Sequence, residues 1–236
     1  MPLLSPLEIE ALLLSLRVAA VATVCSLPLG LAAAWLLART RFPGKAIVDA
    51  AIHLPLVLPP VVVGYLLLVL MGRRGMVGAW LYDTFGVSIA FTWKGAALAA
   101  AVMAFPLMVR AMRLSLEAVD RGLESAARTL GAGRGRVFLT VTLPLMAPGI
   151  LAGMVLAFAR ALGEFGATIT FVSNIPGETR TLPLALYTLT QTPDGEAAAA
   201  RLALLTIAIA VAALIASEWM ARRLKARIGS PDGARP

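Results

Sequence analysis

Residues Glu124–Ile150 read ESAARTLGAGRGRVFLTVTLPLMAPGI, a polar hairpin set between two apolar runs of membrane length. A helix-forming stretch, a break at Gly131-Ala132-Gly133, a basic amphipathic stretch and a Leu143-Pro144 stop follow in that order. Asp120 has the side chain of an N-cap, and Glu124 suits the positive end of a short helix running through Arg128. Ala126 and Ala127 are small helix formers that let another protein approach closely. Gly131 and Gly133 allow a sharp C-terminal turn. Val137, Phe138, Val141 and Thr142 then fall at helical spacing, and Pro144 is expected to end the element. A polar hairpin between spans is ordinarily a mere connection. Its length, small-residue face and turn chemistry here also support a docking element.

Working outward, the chain is 59% hydrophobic and 14% charged, with a mean hydropathy of +0.85. A soluble domain of 236 residues could not hide so much apolar surface, so the bilayer is the solvent. The net charge of +8 then marks loops near lipid headgroups. No basic face carries the aromatic interleaving of a nucleic-acid site. One cysteine, Cys25, and one histidine, His53, exclude a disulfide framework and a Cys/His zinc site. The start of the chain reads as a retained first helix, without a basic n-region or a small-residue cleavage site.

Five runs have spanning length, roughly Ala11–Leu37, Ile47–Met71, Ile89–Met112, Met146–Val172 and Leu202–Met220. The fold class is therefore all-α and polytopic. A shorter apolar piece, Leu182–Leu189, carries Pro183 and reads as a helix lying in the interface. Basic residues crowd the loops after the first, third and fifth runs, as in Arg39-Thr40-Arg41, Arg110–Arg136 and Arg222–Arg227. The positive-inside rule places the N-terminus outside and the C-terminus in the cytoplasm. Trp35, Trp80, Trp93 and Trp219 fall near span ends, as an aromatic belt requires. Residues 1–7 read as an N-terminal tail, 8–228 as the membrane domain with its hairpin at about 117–145, and 229–236 as a C-terminal tail.

Two spans carry breakers or charge. The second reads HLPLVLPPVVVGYLLL from His53, where Pro55, Pro59 and Pro60 interrupt the hydrogen-bond ladder. That is either a proline kink in a packed helix or a hinge lining a pathway. The fourth holds AFARALGEFGATITF from Ala157, with Arg160 and Glu164 inside an apolar run. Intramembrane charges are expensive and by default functional. Their i,i+4 spacing puts both on one helix face, either as a self-neutralising structural pair or as groups that meet an anion and a gate. Gly163 and Gly166 flank Glu164 and Phe165 and permit close approach. His53 and Asp49 read as interfacial anchors before a proton relay, and Met103, Met108 and Met154 as packing.

The hairpin resembles the coupling loop of ABC importer permeases, whose motif runs E-A-A, three residues, G, nine residues, I-x-L-P. Ala126, Ala127, Gly131, Val141, Leu143 and Pro144 fall in register; Ser125 takes the place of the motif's Glu, and Glu124 lies one residue earlier. The stretches FPGK, HLPLVLPPVVVGYLLL, ARTLGAGRGRVF, GEFGATITFVSNIPGETRT and ARRLKAR run in the order of the molybdate importer permease family. Sulfate and tungstate permeases are similar, and the shared shape and charge of those anions leave physics no means of separating them.

The resemblance implies a type I importer permease of a bacterial inner membrane, working as a pair of identical chains. A cytoplasmic ABC ATPase dimer would grip Glu124, Ser125, Ala126, Ala127, Gly131, Leu143 and Pro144. An external binding protein would deliver molybdate to a pathway or gate at Arg160, Gly163, Glu164, Phe165 and Gly166. No G-x-x-x-x-G-K-[ST] sequence occurs, so ATP hydrolysis is expected from a second polypeptide and no cofactor, metal or catalytic residue is expected here. The rivals are a sulfate, thiosulfate or tungstate permease of the same family and, from another class, an ion-coupled secondary transporter. The latter would want more midplane carboxylates than Glu164 and an inverted repeat. An intramembrane hydrolase fails for want of a nucleophile elbow.

Overall fold

Ser5 and Glu8 start the first helix by capping each other. The Ser5 hydroxyl accepts from the Glu8 N–H at 3.3 Å, and a Glu8 carboxylate oxygen accepts from the Ser5 N–H at 2.6 Å. A computed structural model describes residues 5–228, so the expected C-terminal tail and the first four residues lie outside the described residues. The helix begun at Ser5, α1 (Pro6–Arg39), takes in Pro6 and Leu7, which were expected in the tail. Its buried stripe of Ala11, Ser15, Val18, Ala19 and Ala22 is small, which suits helix pairing where lipid removes any hydrophobic drive between helices.

The central partner is α5 (Trp93–Glu117), N-capped by Thr92 and lined by Ala96, Ala97, Ala99, Ala100 and Ala104. It packs on α1 and on α8 (Leu143–Leu162). Glycines set that closeness: a Cβ at Gly153 would lie 3.1 Å from the Met108 carbonyl oxygen, and one at Gly30 would lie 2.9 Å from the Met108 sulfur. Met103, Met108 and Met112 are fully buried in this core, so the first two are packing residues as expected.

The second and fourth spans differ from expectation. The expected proline interruption of Ile47–Met71 is a full break into α2 (Lys45–Val57) and α3 (Pro60–Met71), bent by 114°. Leu58 and Pro59 are extended at the break because a residue before proline is pushed out of the helical region, and Pro60 opens α3 as an N1 proline. Four helices are therefore long and apolar enough to span, and a fifth crossing exists only if α2 and α3 count together. The fourth run breaks at Gly163–Phe165 into α8 and the short α9 (Gly166–Val172). Short α3 and α9 pack tightly: a Cβ on Gly64 would stand 2.5 Å from the Ala167 carbonyl oxygen.

The remaining elements are surface pieces and the last helix. α4 (Met76–Phe85) follows a tight turn after α3, and α6 (Arg121–Thr129) and α7 (Arg134–Val137) form the hairpin. α10 (Leu182–Thr190) is the short helix expected at Leu182, and it buries Leu182, Leu184 and Ala185. It joins Ala11 of α1 and Leu202 of α11 (Glu196–Ile228) in a second, smaller core. Trp35, Trp80 and Trp219 are exposed, Trp35 near the end of α1, while Trp93 lies beneath the guanidinium of Arg17, 3.7 Å from its ring centre.

Candidate functional site

The hairpin helix α6 starts where Asp120 accepts the Gly122 N–H at 2.7 Å. It ends in a Schellman turn: the Gly131 N–H reaches the Arg128 carbonyl at 2.9 Å and the Ala132 N–H reaches that of Ala127 at 3.1 Å. Gly131 has φ +87°, a backbone that L side chains rarely adopt, with nothing near its absent Cβ. Gly133 is ordinary extended backbone in open space, so the turn needs only one of the two glycines. Ser125 and Ala126 face solvent, Ala127 is half-buried, and Leu130 stands 89% exposed at the tip.

Pro144 does not end the element. From Arg134 to Leu162 the chain is helical throughout, with a π-helical turn over Phe138–Thr142 leading into Leu143. A π turn inserts one extra residue and shifts the hydrogen-bond register, and Pro144 sits directly after that shift inside the continuous helix. Leu143 and Pro144 thus weld the hairpin to α8.

Glu124 performs a task that spacing alone did not reveal. One of its carboxylate oxygens accepts from Arg39 at 2.9 Å and from the Thr142 hydroxyl at 2.8 Å, with both charged side chains largely buried. It ties α6 to the end of α1 and to the π turn. Arg39 and Thr142 are therefore structural partners of the hairpin.

At the other end of α8, Arg160 and Glu164 meet at 2.6 Å. They do not share one helix face: Arg160 sits in the last turn of α8 and Glu164 lies in the break beyond it. The Glu164 carboxylate is 2% exposed, and its second oxygen accepts the Ala167 N–H of α9 at 2.8 Å. Arg160 is 28% exposed and keeps donors free beside the pair. Gly166 is required by packing, since a Cβ there would stand 2.8 Å from that of Pro60. Gly163 meets only its own helix at 3.8 Å. Phe165 bridges outward to Tyr187 of α10, ring centres 5.3 Å apart. The same α10 holds Asn174 through Thr188, and Asn174 in turn accepts from Arg180 at 2.9 Å. α8 is 20 residues long, so it separates hairpin and break by about 30 Å.

Two further ion-pair sets lie elsewhere. Asp49 accepts from Arg113 at 3.0 Å, fastening α2 to α5, and His53 stays within reach of the Asp49 backbone oxygen at 2.9 Å. Glu8 is buried and meets Arg201 at 3.2 Å, joining the N-terminal ends of α1 and α11. Among the described residues there is no cluster of metal-ligating side chains.

Comparison with known proteins accords with this geometry. Residues 26–226 match the family of binding-protein-dependent transport system inner membrane components. The molybdenum transport system permease protein ModB of Escherichia coli K12 is 67% identical over 222 residues, 94% of this chain and 97% of that protein. The sulfate transport system permease protein CysT of the same strain is 39% identical, over 83% of this chain and 70% of its own. An inward-facing structure of the MetNI methionine ABC transporter superposes with a TM-score of 0.72 at 18% identity, over 94% of this chain and 99% of its own.

Proposed function

Because the chain belongs to the family of binding-protein-dependent transport system inner membrane components, we propose that it is the permease subunit of an ATP-driven importer for molybdate. The observation that carries this reading is α8. One continuous rod begins at a pinned polar hairpin and ends at a broken, charged segment that α3 and α9 enclose. Movement of the hairpin is thereby transmitted to the break.

In this reading two copies enclose one pathway, and a separate ATPase dimer grips the hairpins at Ser125, Ala126, Ala127 and Gly131. Leu130 fits that role, because a fully exposed leucine at a fixed turn gains most by being covered. Glu124, Leu143 and Pro144 transmit the grip from inside the chain. Arg160, free at its rim, offers a passing oxyanion a transient partner while Glu164 and Phe165 hold the break closed. High affinity belongs to an external binding protein, since a pathway that binds tightly cannot release its cargo. Each ligand shifts the outward–inward equilibrium only by its differential affinity for the two states. Molybdate is preferred to sulfate because the identity to the molybdenum permease greatly exceeds that to the sulfate permease.

The test is reconstitution with a partner ATPase and binding protein from the same organism. Molybdate-loaded binding protein should stimulate ATP hydrolysis and drive uptake more than sulfate-loaded protein does. Uptake that ignores ATP but collapses with an ion gradient would replace this reading by a secondary transporter. Equal stimulation by sulfate would keep the importer and discard the molybdate assignment.

A further inference from the structure

We propose that the cleft between the end of α1 and the α6–α7 hairpin is a binding site for an anionic phospholipid. The cleft has a volume of about 1080 Å³ and is lined by two chemically distinct regions. One is apolar and belongs to the membrane-spanning part of α1, including Leu31 and Trp35, with Phe138 also lining the cleft. From Pro28 to Leu36 this wall rises about 12 Å, close to half the hydrocarbon thickness of a bilayer. The other region is the hairpin rim, where Arg121, Arg128 and Arg134 are exposed and make no ion pair among the described residues. The one carboxylate of the cleft, Glu124, is already committed to Arg39 and Thr142.

An occupant must therefore bring negative charge to the rim and a long apolar body to the wall. A phospholipid with an anionic headgroup has both at the correct separation. A bare oxyanion would leave the apolar wall unfilled, and a soluble ATPase that grips the hairpin at Ser125 covers only the rim, not the α1 wall at membrane depth. The lipid would bridge α1 to the hairpin beside the Arg39–Glu124 tie. The site depends only on α1 spanning the membrane and is independent of the transported anion.

The test uses the permease purified with its ATPase, equilibrated with equal amounts of palmitoyl-oleoyl phosphatidylglycerol and phosphatidylcholine, with retained lipid counted by native mass spectrometry. The complex should retain phosphatidylglycerol preferentially. Arg128→Gln with Arg134→Gln should reduce that preference about 25-fold, roughly fivefold per arginine near the headgroups. Arg110→Gln with Arg136→Gln, outside the cleft, should leave it intact. Equal loss in this control pair would show diffuse surface attraction and overturn the site, as would a wild-type complex without preference. Displacement of phosphatidylglycerol by millimolar inorganic phosphate would point to a free-anion site instead. Loss of the ATPase from the Arg128/Arg134 variant with lipid retention unchanged would make the cleft a protein interface and equally overturn the proposal.

Discussion

Glu124 stands one residue before the position where the family motif places its Glu, and its side chain turns inward to Arg39 and Thr142. Glu124→Ala leaves two donors without their acceptor, which costs about 1–3 kcal/mol. The purified permease should show a lower unfolding midpoint, and the Arg39→Ala variant should couple to it in a double-mutant cycle. Additive effects would mean that the contact carries no energy. Arg160 and Glu164 pose the converse question, because each already satisfies the other. Single removal strands a charge in low dielectric and should reduce membrane expression. The double variant Arg160→Met with Glu164→Leu should restore expression yet transport poorly, if Arg160 also serves the anion. Near-normal molybdate uptake by a well-expressed double variant would leave Arg160 as scaffold. The packing of Gly166 on Pro60 weakens one motive for the pathway role, since that glycine is explained without any ion. The half-exposed guanidinium remains its support.

Among the elements, the hairpin turn and the α3–α9 contact make different demands on glycine. Gly131 is needed for its positive φ alone, so Gly131→Val should strain the turn without disturbing the spans. Gly131→Asn, which tolerates that conformation, should behave nearly as wild type. Co-purification of the ATPase and stimulation by loaded binding protein would read the difference; full stimulation in Gly131→Val removes the turn from the docking argument. Gly64 is needed for space. Gly64→Val would drive a side chain into the Ala167 backbone, so the half-helices must part and expression should fall severely. Normal expression and uptake in that variant would contradict the close packing of α3 on α9. The π turn belongs to this scale too, because it lets Pro144 begin α8 instead of stopping the hairpin.

At the scale of the whole molecule, orientation decides which side of the membrane the hairpin meets. A cysteine introduced at Ala132, in a chain whose exposed Cys25 is replaced by alanine, should be labelled only from the cytoplasmic side. Asp194→Cys in the same background should be labelled from outside. The motive is the arginine-rich hairpin set against the acidic turn at Asp194–Glu196. The reverse pattern would invert the topology and take the ATPase assignment with it.

The sequence by itself determined the class, the approximate spans and the two ends of the hairpin helix. Apolar length, basic loops and capping residues act locally, so Asp120 and Gly131 could be read where they stand, while the Ser5 cap fell inside the expected tail. The breaker prolines of the second span were equally visible. The 114° angle was not, because it depends on how α3 packs against α9. Nor was the split of the fourth span at Gly163–Phe165, because two glycines and a charge permit a break without requiring one, and Pro60 fills the space beside Gly166 only in the folded bundle. Arg39 lies 85 residues from Glu124, and Glu8 lies 193 from Arg201. No periodicity links such positions. In a bilayer a charged group must find its partner inside the protein, and only the folded bundle decides which partner is near.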